Sequence, residues 1–345
     1  MSDSPPGVDV PTLQAHLERT VPGLLGGGLS ARLLSGGRSN LTYLLEDGSS
    51  QFVLRRPPLG HVLETAHDMT REFRVMSALG PTDVPVPKTY LLEPDPEVLG
   101  SPFYVMEFVD GDILREAGQL AALTPHQADK LADDLADTLG RLHAVDPDAV
   151  GLGDLGRPDG FLARQLRRWA KQLDASHSRD LPELTRLGQR LALDIPAPQR
   201  AGLVHGDYRL DNVVVGRDEA AGVLAVLDWE MATLGDPLTD VASTVAWWDG
   251  IVGLDSPVAA VPGDVPGFPP SSRLLDRYAG HVGLDLSRLP WYVGFAFFKM
   301  AAIFEGIHYR DTQGLTTGAG FERLGEMVPA LVDRGHAALD DAGEG

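Results

Sequence analysis

The chain has 345 residues, 43% of them hydrophobic, with 49 acidic against 29 basic side chains and a formal net charge of −20. This length exceeds the usual single-core size and predicts two lobes, while the acidic balance argues against nucleic acid and anionic membrane as partners. No cysteine is present, which excludes disulfides, thiolate metal ligands and a cysteine nucleophile. The opening MSDSPPGVD is acidic and proline-rich, unlike a signal or transit peptide. The most apolar stretch, residues 291–307, is interrupted by Lys299 and Glu305 and is too short to span a bilayer. The expectation is a cytoplasmic protein with no membrane contact, a monomer or homodimer, its acidic surface either solubilising it or favouring a cationic ligand.

In chain order, residues 1–8 read as a disordered lead. A helix is predicted over 9–21, with Val10, Leu13, Leu17 and Val21 on one stripe and Pro11 near its start. Strands follow over 30–34, 41–45 and 51–55, separated by Gly36-Gly37 and Asp47-Gly48 as hairpin turns. The first turn, SGGRSN, is a candidate phosphate clamp: Gly36 and Gly37 let backbone N–H groups approach phosphate oxygens, and Ser39 and Asn40 add donors. The same two glycines also read as a plain hairpin. In the third strand Val53 and Arg55 share a face and Arg56 points the other way, to solvent. Met69, Phe73, Met76 and Leu79 mark a helix over 65–79, with Glu72 off that stripe where it could pair with Arg55, and Glu64 competing for the role. A return strand runs to Glu93, and a strand over 101–108 is broken by Val109-Asp110-Gly111.

The remainder reads as mainly helical. Leu131, Leu135, Leu139 and Leu142 set the stripe of a helix over 125–145, with His143 near its end as a capping or packing residue. Residues 161–175 form a basic amphipathic helix, either salt-bridged or a patch for an anionic substrate. After Glu230 a helix opens, capped by Asp236 or Thr239 with Pro237 in its first turn. Residues 251–272 are an irregular loop able to cover an acceptor site, and helices are expected over 271–283, 290–310 and 319–339. Trp247, Trp248, Tyr292, Phe295 and Tyr309 read as core aromatics, with a substrate wall as the alternative.

Residues 203–230 carry the chemistry. The runs Leu203-Val204 and Val213–Val215 bracket His205, Asp207, Arg209, Asp211 and Asn212, and a third run, Val223–Leu227, ends at Asp228. β-branched runs bounded by Gly and Asp read as short buried strands, so the spacing can bring two carboxylates and an amide to a common point. A metal-bound phosphate donor needs that set: Asp207 to orient an attacking hydroxyl, Asn212 and Asp228 as hard oxygen ligands to Mg²⁺.

His205-Gly206-Asp207, with Asn212 five positions after Asp207 and Asp228 sixteen further on, resembles the catalytic loop of the protein-kinase-like superfamily. Gly206 and Asp228-Trp229-Glu230 point to its small-molecule branch, the aminoglycoside phosphotransferases and choline kinases. HGDYRLDN with LDWEMATLGDPLTD is most similar to the kinase-like domains related to acyl-CoA dehydrogenase-associated phosphotransferases. The resemblance implies an α+β bilobal protein-kinase-like fold, with a small antiparallel-sheet nucleotide-binding lobe over 1–108 and a mainly helical catalytic and substrate lobe over 109–345. It implies an ATP- and Mg²⁺-dependent transfer of the γ-phosphate to a small-molecule hydroxyl, with a hydroxyacyl-CoA as acceptor. An aminoglycoside or amino-alcohol acceptor is the alternative, and an inactive nucleotide-binding pseudokinase is the alternative of another class.

Residue by residue, the resemblance puts Val53 under the adenine, Arg55 on the phosphates in place of a lysine, and Glu72 as the helix glutamate. Backbone groups near Glu107 and Val109 would meet the adenine edge. Arg209 either offsets charge on the moving phosphate or pairs with Asp211. Glu230 would reach the metal through water, His205 would pin the loop, and Asp240 would hydrogen-bond the loop backbone.

Overall fold

The computed structural model describes residues 4–34, 40–59, 68–176, 179–217, 222–254, 256–314 and 323–341. The candidate clamp residues Gly36, Gly37 and Ser39, and Glu64, lie outside these. The chain divides into two compact units, one of 1–111 with 224–232 and one of 112–223 with 233–345. The first unit therefore takes in a late segment that the sequence reading gives to the larger lobe.

In the first unit, helix α1 (Val10–Thr20) starts at Asp9, whose carboxylate accepts the Thr12 N–H at 2.9 Å. Strands β1 (Ser30–Leu33), β2 (Leu41–Glu46), β3 (Gln51–Arg56), β4 (Thr89–Glu93) and β5 (Phe103–Glu107) form an antiparallel sheet in the order β1-β2-β3-β5-β4. Side chains alternate across a strand. One face, with Tyr43, Leu45, Phe52, Leu54, Phe103 and Val105, packs with Leu13 and Leu17 of α1. Each such large side chain contributes about 1.5–3 kcal/mol on full burial.

The opposite face carries Val53, Arg55 and Tyr104 and meets helix α2 (Met69–Leu79). Arg56 does not face solvent. It is buried and donates to the carbonyls of Gly7 and of Leu99, tying two segments to the end of the central strand. Asp47 anchors the β2–β3 hairpin by accepting the N–H groups of Gly26, Ser49 and Ser50 at 2.7, 2.8 and 2.6 Å.

The second unit holds helices α3 (Ala117–Ala121), α4 (Pro125–Ala144), α5 (Phe161–Ala175) and α6 (Pro182–Leu193), of which α3 and α6 are not anticipated from the sequence. Strands β6 (Gly202–Val204), β7 (Val213–Val215), β8 (Val223–Val226, passing into the first unit) and β9 (Thr233–Gly235) follow, with β6 pairing β9. Helices α7 (Leu238–Val245), α8 (Ser271–Val282), α9 (Leu289–Thr312) and α10 (Leu324–Asp341) complete it. The apolar 291–307 stretch becomes α9, buried on most sides among α5, α6, α7 and α10. A helix hydrophobic all round belongs inside a core, and no helix among the described residues is long and apolar enough to cross a membrane. Pro237, expected in the first turn, stands instead at the N-cap of α7, and Asp236 just before it accepts the Leu238 N–H at 3.1 Å.

Candidate active site

Each unit brings together one group of the expected residues. In the first, strand alternation turns Arg55 to the α2 face. Its Nη1 lies 3.4 Å from Glu72 of α2, and its Nη2 donates to Asp228 at 3.2 Å. Glu72 lies on the buried stripe of α2 rather than off it: three residues after Met69 and four before Met76, it is fully buried. It also accepts the Tyr104 hydroxyl at 2.8 Å and the Asn40 amide at 3.1 Å. Tyr104, absent from the sequence reading, sits opposite Arg55 in the β3–β5 register, a pairing between strands that no local pattern reveals.

Burial raises the Glu72 carboxyl above its ordinary range, and Arg55 offsets this only in part. For Arg55 burial works against the charge, but Tyr104, Glu72 and Asp228 together outweigh it and keep the guanidinium protonated.

Asp228 follows β8 and has φ +66°, in the left-handed region, the one non-glycine there among the described residues. Aspartate is among the few non-glycine residues that visit that region, and single residues held there concentrate at functional positions. Trp229 fixes the turn, buried with its Nε1–H donating to the Val226 carbonyl at 3.0 Å. Glu230 accepts the Asn40 amide at 3.4 Å. Carboxylate oxygens of Glu72, Asp228 and Glu230 lie within 4.8 Å of one another. These hard oxygens suit Mg²⁺, and two buried atoms, Arg55 Nε and Asn40 Oδ1, have no hydrogen-bond partner among the described residues. Such orphaned atoms fit a site that takes up a polar ligand. Val53 is buried on the Arg55 face. The Glu107 N–H donates to the Lys88 carbonyl at 2.8 Å and is not available to an adenine, which leaves its carbonyl and the half-buried Val109 as candidates.

In the second unit, β6 ends at Val204 and the loop is held by buried groups. Asp240 of α7 accepts the His205 and Gly206 N–H groups at 2.6 and 2.8 Å. Burial pushes its carboxyl up, but His143, His205 and the Gly206 N–H outweigh this and hold it below its usual range. His143 bonds Tyr278 at 2.7 Å as well as Asp240 at 3.3 Å, so it packs a polar core. Gly206 has φ +87°, open to glycine without strain, and His205 Nδ1 accepts the Asp207 N–H at 3.2 Å.

The Asp207 carboxylate is 31% exposed and accepts the Asn212 amide at 2.9 Å. Burial raises it, but Arg209, Lys299, His205 and Asn212 outweigh burial and hold the carboxyl below its ordinary range. Arg209 pairs with both Asp207 (3.3 Å) and Asp211 (3.1 Å) and lies 4.4 Å over the Trp247 ring. Lys299, read in the sequence only as a break in an apolar stretch, donates to the Gly206 carbonyl at 2.6 Å beside Trp169.

A five-stranded antiparallel sheet unit bearing an Arg–Glu pair, with a helical unit bearing the HGDxxxxN loop, defines the protein-kinase-like class of fold. The chain belongs to the phosphotransferase enzyme family, whose family model matches residues 30–261. Acyl-CoA dehydrogenase family member 10 of Mus musculus is 36% identical over 332 residues, 93% of this chain and 30% of that protein. Family member 11 of Gallus gallus is 35% identical over 340 residues, 95% of this chain and 43% of that protein. The chain thus spans less than half the length of these curated relatives. Among solved structures, a candidate aminoglycoside phosphotransferase from Ralstonia eutropha JMP134 has a TM-score of 0.83 at 33% identity, covering 96% of this chain and 98% of that one.

Proposed function

We propose that the protein is an ATP- and Mg²⁺-dependent phosphotransferase that moves the γ-phosphoryl group to a hydroxyl of a small molecule. The observation that carries this reading is Asp207: a partly exposed carboxylate, held charged, on a loop whose flanking polar groups are buried and bonded. An acceptor hydroxyl attacks the γ-phosphorus, ADP leaves, and the hydroxyl proton passes late to Asp207, which mainly orients the nucleophile. Arg55 binds phosphate oxygens, and Arg209 offsets the charge that develops on the moving group. Asn212, Asp228 and Glu230 would hold Mg²⁺, which when bound neutralises phosphate charge. Val53, the Glu107 carbonyl and the Val109 backbone would receive the adenine, and the segment with Gly36, Gly37, Ser39 and Asn40 the phosphates.

The acceptor we propose is a hydroxyacyl-CoA. Its support is the likeness over 93% and 95% of this chain to two proteins named as acyl-CoA dehydrogenase family members. The test is ADP release by purified protein with ATP and Mg²⁺ against separate hydroxyacyl-CoAs, aminoglycosides and amino alcohols. Turnover with the first group alone is the expected result. Turnover with the cationic acceptors alone overturns the acceptor class, and ATP binding with no turnover on any panel member favours the pseudokinase reading.

A further inference from the structure

Position 206 combines two properties that work against a fixed catalytic loop. Its φ of +87° calls for glycine, and glycine leaves the peptide plane that follows, Gly206 C=O with Asp207 N–H, freest to rotate. Rotation of that plane changes ψ of Gly206 and φ of Asp207, and so re-aims the Asp207 side chain. Asp240 cannot prevent it, because it holds the N–H groups of His205 and Gly206, on the two preceding planes. The plane in question is held at its two ends by other groups. His205 Nδ1 accepts the N–H at 3.2 Å, and the Lys299 ammonium donates to the C=O at 2.6 Å.

Lys299 comes from α9, the helix surrounded by α5, α6, α7 and α10, so it carries the rigidity of the core to the loop. Its ammonium lies over the Trp169 ring of α5, 5.7 Å from the ring centre. The charged groups that face it are Asp207, Asp240 of α7, Arg168 of α5 and Arg209. Lys299 is half-buried, and an ammonium partly withdrawn from water is costly unless it gains a partner, which here is a backbone carbonyl.

We propose that Lys299 is a positioning residue for phosphoryl transfer: by clamping the Gly206 carbonyl it locks the peptide plane that aims Asp207. This rests on the phosphotransferase reading for its consequence in turnover, but the clamp is measurable without it. The first readout is hydrogen exchange of the Asp207 amide in the full chain. In Lys299→Met exchange there is expected to rise about 10-fold, while in Lys299→Arg, which keeps a charged donor, it stays at the parent rate. The second is kinetic: with an acceptor that supports turnover, kcat of Lys299→Met falls about 100-fold, as for a small misplacement of a reacting group, with KM for ATP kept.

Unchanged Asp207 exchange in Lys299→Met overturns the proposal whatever the protein does with ATP. So does a rise in exchange spread over α9 and its neighbours in both variants, which would mark a packing role alone. Lys299→Leu, which keeps apolar volume beside Trp169, replaces Lys299→Met if the latter is not recovered folded. A parent without turnover counts against the phosphotransferase reading, and the exchange result then decides this one.

Discussion

Replacing Arg55 by methionine leaves two carboxylates, Glu72 and Asp228, without the cation between them. At 3.4 and 3.2 Å each contact has a gross attraction of about 5 kcal/mol at an effective dielectric of about 20. Most of that offsets the cost of taking the charges out of water, and removing one partner of a buried pair typically costs about 3–5 kcal/mol net. Methionine keeps the apolar stem, so the loss is electrostatic rather than a cavity. The penalty also depends on pH, with a defined sign. Burial already raises Glu72, and without Arg55 it rises further. A carboxyl raised in the folded state is tolerated while protonated, and stability is lost as pH rises through its folded pKa.

The destabilisation of Arg55→Met relative to the parent therefore grows as pH rises above the ordinary carboxylate range, at up to about 1.4 kcal/mol per pH unit for one proton. Urea unfolding of both proteins at several pH values, followed by a probe in the first unit, measures it. A penalty below about 1 kcal/mol, or one independent of pH, would refute the view that this guanidinium neutralises a buried acidic pair.

Asp207→Asn is expected to lower kcat by about 10²–10⁴-fold, the range for loss of a general base, while ATP binding by calorimetry stays near that of the parent. Asp240→Ala strips acceptors from two N–H groups and from His143; a loss of about 3 kcal/mol or more in unfolding free energy is expected. Asp47, held down to about 2 from 3.8 by the Gly26, Ser49 and Ser50 N–H groups, contributes stability above its unfolded pKa that is lost as pH falls through that window. Asp47→Asn should therefore flatten this acid limb of thermal stability, and an unchanged limb would show that the hairpin is held by other means.

The segments most legible in the sequence are those whose residue pattern is also their structural reason. Alternation in β3 placed Arg55 opposite the α1 core, and the heavy leucine stripe of α4 matched its buried face. A charge at a strand end suggests solvent for Arg56, whereas it has carbonyl partners inside; the pairing of Glu72 with Arg55 holds, but on the buried stripe of α2 rather than off it. Helix α6 is harder to read because Leu184, Leu187 and Leu191 sit in a short segment between the polar run 176–180 and the Pro196-Ala197-Pro198 turn. Lys299 looked like an interruption of apolar sequence, since nothing local reveals a carbonyl 93 positions away. The HGDxxxxN spacing was readable because its contacts are local: His205 to Asp207 and Asn212 to Asp207.

The first unit is assembled from 1–111 and 224–232, and this has a consequence for the order of events on the ribosome. The sheet and α2 emerge early, with Arg55 and Glu72 in place. The nine-residue piece bearing Asp228 is synthesised only after the intervening residues 112–223. At about 5–20 residues per second that wait is on the order of ten seconds, during which the Arg55–Glu72 pair lacks its third member. Nascent chains stalled before residue 224 would thus hold an incomplete first unit, more open to proteolysis than the same residues in chains stalled well beyond 232.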